Sequence, residues 1–227
     1  MRDDKSDKIR MVERVRILKY EPKISTTETK KLNKDKIPFI NWTANLRIEK
    51  YNSDESYKSG VPDEIQTVEG NTATMKGLFT IWNLVQGKDI NSEVTYDGTT
   101  YTGVYPLNAD YAYLGVGSGD TPATSADTGL ASTPVFLKCD TGYPIIDAAN
   151  PNTLQLRVTF SPSDAANMDW KEWGVANGDA DRSKTPVSPR DADNIVLFNR
   201  RVENMGHKSD QATWVIIADL VISPTAS

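Results

Sequence analysis

The sequence predicts an all-β fold: an antiparallel β-sandwich or barrel-like body carrying an extended N-terminal arm. Three observations predict it. Apolar and polar residues alternate through Ile40–Lys50 and Leu154–Phe160, the period-2 signature of half-buried strands. The run Trp214–Ile222 is apolar on nearly both faces, which places it centrally in a sheet and covered on both sides. Short apolar runs are separated by stretches rich in Gly, Pro, Asn and Asp, with no internal repeat, heptad pattern or long amphipathic helix.

Residues 1–8 are polar and read as disordered. In Ile9–Tyr20, Ile9, Met11, Val15 and Ile17 fit a strand, while Met11, Val15 and Leu18 fit one helix face, so periodicity leaves both open. Glu21-Pro22 ends that segment, because proline disfavours helix at the residue before it. Residues 23–37 are polar and Lys-rich. A boundary near Ile37-Pro38 divides a basic N-terminal arm or linker, 1–37, from a single β domain, 38–227. In that domain Ile40, Trp42, Ala44, Leu46 and Ile48 mark a strand, and residues 52–72 read as a polar loop. Asn41-Trp42-Thr43 matches the glycosylation acceptor pattern and is taken as chance.

Leu78–Val85, stopped by Gly87, reads as a buried strand from its length and aromatic content. Ser92–Tyr96 and Thr99–Val104 flank Asp97-Gly98, a dipeptide suited to a two-residue type I′ hairpin turn. Tyr111–Val116 and Val135–Cys139 are short strands on either side of turn-rich residues 117–134. Residues 161–194 read as a further loop, carrying Trp170 and Trp173, and Ile195–Val202 is another apolar segment before the final strand.

Composition sets limits. Five Trp, nine Tyr and five Phe suffice for a core, but a 38% hydrophobic share leaves much of the chain to loop or arm. No apolar run approaches the roughly 18–20 residues that span a bilayer. The charged start, Met-Arg-Asp-Asp-Lys, has no apolar stretch behind it, so no secretory signal is expected and the chain reads as made in a reducing cytosol. One cysteine, Cys139, excludes an intrachain disulfide framework. Residues 1–50 hold 14 Lys+Arg against 8 Asp+Glu, a net of +6, and the other 177 hold 12 against 23, a net of −11. A basic segment holding Arg10, Arg14 and Arg16 on an acidic body suggests an arm that lies on an acidic partner, such as a neighbouring copy, or else a solvated surface.

Little in the chain points to catalysis. His207 is the only histidine, and no family signature links it to Cys139 as a nucleophile–base pair. Zinc needs about four Cys, His or carboxylate ligands, more than any local cluster offers. Asn177-Gly178-Asp179-Ala180-Asp181 alternates oxygen ligands but lacks the spacing of a calcium loop, so it reads as an acidic turn. Gly115–Asp120 lacks the Gly-Lys-Ser/Thr of a phosphate loop, and Thr-Pro follows it. A carboxylate pair for glycoside hydrolysis is a spatial feature, and no pair stands out. Trp170, Trp173, Tyr111 and Tyr113 could stack on a sugar or base; filling the core or a subunit contact is the favoured alternative.

Tyr113–Leu130 reads as an apolar strand, a Gly-x-Gly turn, Thr/Pro/Ala residues and Asp-Thr-x-Leu. It is followed by Arg157–Phe160, then by Trp170–Val175 with its Trp-x-Glu-x-Gly. Next come Leu197–Val202 with Asn-Arg, then Lys208-Ser209-Asp210 before the last strand. In this order, over residues 111–223, the set resembles a family of structural proteins of tailed bacteriophages. The 176–194 insertion and residues 1–110 lie outside the resemblance. Physically, Asp127-Thr128 would close a polar loop and Leu130 return to the core, while Arg200 or Arg201 would clamp Glu172 with a bidentate contact.

The resemblance implies a virion structural component, in a capsid decoration, neck or tail layer, made in the host cytoplasm. It would assemble by homo-oligomerisation and by docking on other virion proteins, without a membrane, cofactor, metal or catalytic role; nucleic acid is not an expected partner. The alternative is a host-surface or carbohydrate-binding module of a virion appendage, with Trp170 and Trp173 stacking on sugars. Candidate assembly or structural contacts are Arg10, Arg14, Arg16, Trp170, Glu172, Trp173, Arg200 and Arg201.

Overall fold

A computed structural model describes residues 40–96, 98–181, 188–189 and 195–224. The arm residues Arg10, Arg14 and Arg16 lie outside them.

Two antiparallel sheets stack face to face. The first has the order β2-β1-β15-β9-β8, formed by Glu64–Val68, Ile40–Tyr51, Thr213–Pro224, Thr153–Phe160 and Ile145–Ile146 respectively. The second has the order β3-β14-β10-β6-β7, formed by Thr72–Ala73, Asn199–Lys208, Met168–Asn177, Ala112–Gly117 and Val135–Lys138; β13 (Val196–Leu197) pairs with the end of β10. The chain is thus all-β with a sandwich body, as the alternation implied. The last long strand is central, flanked by β1 and β9. It is buried on both faces over Thr213–Ile216; beyond that, Ile217 and Asp219 are half-exposed on one face.

The core lies between the sheets. Ala44, Leu46 and Ile48 of β1, Leu156, Val158 and Phe160 of β9, and Trp214, Ile216 and Ala218 of β15 meet Leu114, Val116, Val175 and Met205 from the second sheet. Each large side chain so buried contributes about 1.5–3 kcal/mol. Phe160, Trp170 and Trp214 form an edge-to-face cluster across the gap, with ring centroids 4.9 and 4.7 Å apart.

The Asp-Gly hairpin forms as expected. β4 (Glu93–Tyr96) and β5 (Thr99–Thr102) pair with Tyr96 opposite Thr99, and Gly98 supplies φ +74°. A further pair, β11 (Ala180–Asp181) and β12 (Ser188–Pro189), lies within the insertion.

Three expectations are corrected. Residues 52–72 are not a plain loop. Ser53 and Ser56 form a reciprocal capping box that starts helix α1 (Asp54–Ser59), which ends at Gly60 with φ +70°, and β2 follows, tied by Lys50 Nζ to Glu64 Oε1 at 2.7 Å.

Residues 78–85 are helical, not a strand: they belong to α2 (Met75–Val85). Thr74 caps it, its hydroxyl accepting from the Gly77 N–H at 3.0 Å and donating to the Leu197 carbonyl. The Thr74 N–H donates to the Phe198 carbonyl, and the Met75 N–H to that of Ser125. Gly77 faces the chain at Leu197-Phe198 so closely that a Cβ would stand 2.6 Å from the Phe198 Cα. This docking overrides the strand preference of an aromatic, β-branched run.

Residues 168–177 are a strand, so Trp170 and Trp173 stand on β10, in no loop. Two residues three apart would normally face opposite sides of a sheet. The register against β14 slips between Trp170 and Glu172, and both indoles join the inter-sheet core while Glu172 points the other way.

Candidate functional site

The outer face of the second sheet holds a buried ion network. β10 presents Glu172, Gly174 and Ala176 there, and β14 adds Arg200; residues 118–134 fold over them. One Glu172 oxygen accepts from the N–H groups of Gly119 and Ser132 at 3.0 and 2.9 Å. The other accepts from the Ala131 N–H at 2.9 Å and Arg200 Nε at 2.7 Å. Arg200 spends its other two nitrogens on Asp127 Oδ2 at 2.9 Å and the Thr121 carbonyl at 3.0 Å. The guanidinium therefore bridges two carboxylates and a carbonyl, where a bidentate clamp on Glu172 was expected.

Asp127 closes its own turn by accepting from the N–H and hydroxyl of Thr124 at 3.0 and 2.8 Å. Burial raises its pKa, but the Thr124 bonds and the Arg200 charge outweigh that and hold it below the usual carboxylate value. Burial works against the Arg200 charge too, and Asp127 and Glu172 together still leave its pKa raised. Leu130 then returns to a second apolar cluster with Tyr113, Phe136, Ala176, Ile195 and Leu197.

The glycines of this region make room. A Cβ on Gly117 would lie 2.6 Å from both Glu172 Oε1 and the Ser132 carbonyl, and one on Gly119 would lie 2.4 Å from Glu172 Oε1. The Gly-x-Gly turn, Asp-Thr-x-Leu, Trp-x-Glu-x-Gly and Asn-Arg pieces thus meet at one place. Glu172 is fully buried and its two oxygens accept from four donors, so its acceptor sites are taken up within the protein. The network is a lock for a long loop.

The remaining candidates separate. Arg201 alternates to the opposite face from Arg200, across from Trp173, and reaches Glu203 at 3.2 Å in a part-buried pair. Trp170 and Trp173 are 0% exposed, which overturns their role as sugar-stacking platforms. The Trp170 indole donates to the Ala165 carbonyl at 2.9 Å. Tyr113 is likewise buried, and Tyr111 packs on Tyr105. Cys139 follows β7 and His207 lies near the end of β14, three strands away and at the other end of β10: Cys139 is beside Ala112, opposite Asn177, and His207 is opposite Asp169. Burial pushes the Cys139 thiol up to about 12, while His207 pairs with Asp169 at 2.9 Å. In the 177–181 turn, the Asn177 amide donates to the Tyr105 carbonyl. Among the described residues no three His, Cys, Asp or Glu side chains group as metal ligands.

Lys208 gave little signal in the sequence. It is fully buried, its Nζ donating to the Ser161 and Pro162 carbonyls at 2.7 and 3.3 Å. Burial lowers its pKa to about 8, against the opposing pull of Asp164 and Asp210.

The surface carries an apolar feature that the strand reading of 78–85 concealed. α2 buries Lys76, Gly77, Thr80 and Asn83 and exposes Met75, Leu78, Trp82 and Val85, the last two at 64% and 71%. Those four follow a 3-4-3 spacing, one stripe of a helix. Ile81 of the same helix reaches an apolar groove of about 530 Å³ walled by Trp42, Leu107, Ile146, Leu154 and Ile222. No helix among the described residues is long and apolar enough to cross a membrane. Comparison of this chain with protein-family models, with curated proteins and with solved structures finds no match in any of the three.

Proposed function

We propose that this chain is a structural component of a tailed-phage virion, in a capsid decoration, neck or tail layer, assembling by homo-oligomerisation and by docking on other virion proteins. The observation that carries the assembly reading is the inverted helix α2, polar beneath and apolar outside. A contiguous exposed apolar surface of this kind marks a protein–protein contact. Its 3-4-3 stripe matches the spacing by which helices pair side by side, which suits a second copy of the same chain. The virion assignment rests on the resemblance of residues 111–223, and the meeting of those pieces at the Glu172 lock supports reading them as one set.

The test is sedimentation of the full-length chain beside a W82D/V85D variant, with incorporation of both into phage particles as a second readout. The wild type is expected to self-associate and to enter particles; the variant is expected to be monomeric, with unchanged thermal stability. A wild type that stays monomeric at all concentrations and never enters a particle overturns the reading. Removal of residues 1–37 tests the basic arm separately, with loss of incorporation as the expected result.

A further inference from the structure

A second concavity, of about 710 Å³, opens where the chain passes from β7 at the edge of one sheet to β8 and β9 of the other. Its wall includes Tyr57 of α1, Asp110, Lys138, Asp140, Tyr143 and Arg157. Its size falls in the range of small-molecule sites. We propose that this pocket binds a neutral oligosaccharide, with the two tyrosines taking the apolar faces of the sugar and the four charged groups its hydroxyls.

The charges argue for a neutral ligand. Asp110 and Asp140 oppose Lys138 and Arg157, so the wall carries two charges of each sign and no net charge that would favour an ion. Sugar hydroxyls both donate and accept, and a wall alternating carboxylate acceptors with ammonium and guanidinium donors serves both halves of that chemistry.

The polar floor is also held in place before any ligand arrives. Asp140 accepts from the N–H and hydroxyl of Thr159 at 3.0 and 2.8 Å and forms an ion pair with Arg157 at 3.1 Å. The Asp140 N–H donates to the Arg157 carbonyl at 2.8 Å, and the Tyr143 N–H to the Asp140 carbonyl at 3.0 Å. Groups fixed in this way lose little freedom on binding. Lys138 approaches Asp110 at only 3.8 Å, a loose pairing that a bridging hydroxyl could tighten. This pocket is independent of the α2 surface, so the proposal stands or falls apart from the assembly reading.

The experiment is titration of the full-length protein, followed by amide NMR shifts and calorimetry, with lactose, maltotriose, cellotriose and chitotriose. Sialyllactose and inorganic phosphate serve as charged comparators. At least one neutral glycan is expected to bind, with shifts centred on Asp140–Tyr143. The double variant D110N/K138A is expected to weaken that binding at least tenfold while leaving the melting temperature in place, and Y143A to weaken it as much while lowering the melting temperature, because Tyr143 packs against the core. The double variant thus reads binding apart from folding. Absence of binding by all four neutral glycans, preference for a charged comparator, or binding untouched by both variants would each overturn the proposal.

Discussion

Arg200 and Glu172 form an ion pair of 2.7 Å in which the two side chains are 3% and 0% exposed, and the pair holds down a loop from a distant part of the chain. Breaking a buried pair costs about 3–5 kcal/mol where it leaves a charge uncompensated. Arg200 keeps Asp127 at 2.9 Å, so E172Q is expected to lose unfolding free energy at the lower end of that range, about 3 kcal/mol, in urea titrations. Limited proteolysis of the same variant should cut first within residues 118–134, because the glutamine amide keeps one acceptor oxygen and turns an NH2 group toward either the Ala131 N–H or those of Gly119 and Ser132.

A single methyl group tests the same lock from the other side. In G119A the new Cβ would meet Glu172 Oε1 at 2.4 Å and the Ala131 Cβ at 2.8 Å. Overpacking of this kind costs about 1–3 kcal/mol. Since both substitutions act on one carboxylate, the G119A/E172Q double variant should lose less than the sum of the two singles, a coupling measurable by a double-mutant cycle.

Lys208 gives the fold an alkaline dependence of definite sign. Its folded pKa, about 8, lies below the ordinary 10.5, so between those values the unfolded chain holds a proton that the folded one has released. Raising pH through that window should stabilise the wild type, by on the order of 3 kcal/mol in all at about 1.4 kcal/mol per pKa unit. Below pH 8 both states are charged and the full penalty of the buried ammonium is present. K208M should lack this rise, which chemical denaturation at a series of pH values would read.

Asp127 gives a dependence of the same sign in acid: stability again rises with pH. Its folded pKa is held below the ordinary value, so its contribution is complete above about pH 4. That contribution is lost as pH falls through the depressed folded value. D127N should melt lower than wild type at neutral pH and converge with it in strong acid, by circular dichroism.

The long strands were legible because one side of each faces the core and the other does not, as in Leu156, Val158 and Phe160 against Gln155, Arg157 and Thr159. The Asp127 turn and the Leu130 anchor were legible because side-chain chemistry dictates them locally. The helix at 75–85 was not. Its apolar residues face outward, its polar ones inward, and what holds it is the backbone around Leu197-Phe198, far away in sequence. The indoles of Trp170 and Trp173 were misplaced for a related reason: a one-residue slip in strand pairing is invisible in the periodicity it disrupts. The 710 Å³ pocket draws on α1, the approach to β6, the β7–β8 crossing and β9, and no local motif could have assembled it.

β1 and β15 lie side by side over twelve residues, with Ile40 opposite Pro224. The chain therefore enters the sandwich and leaves it at neighbouring points on the same sheet. Tension applied between those points would separate the two central strands one hydrogen bond at a time, like a zipper, instead of loading all of them together. A pull on Ile40 against a pull on the end of the last strand would open this protein from its seam, whereas a load shared through the α2 face would bypass that seam.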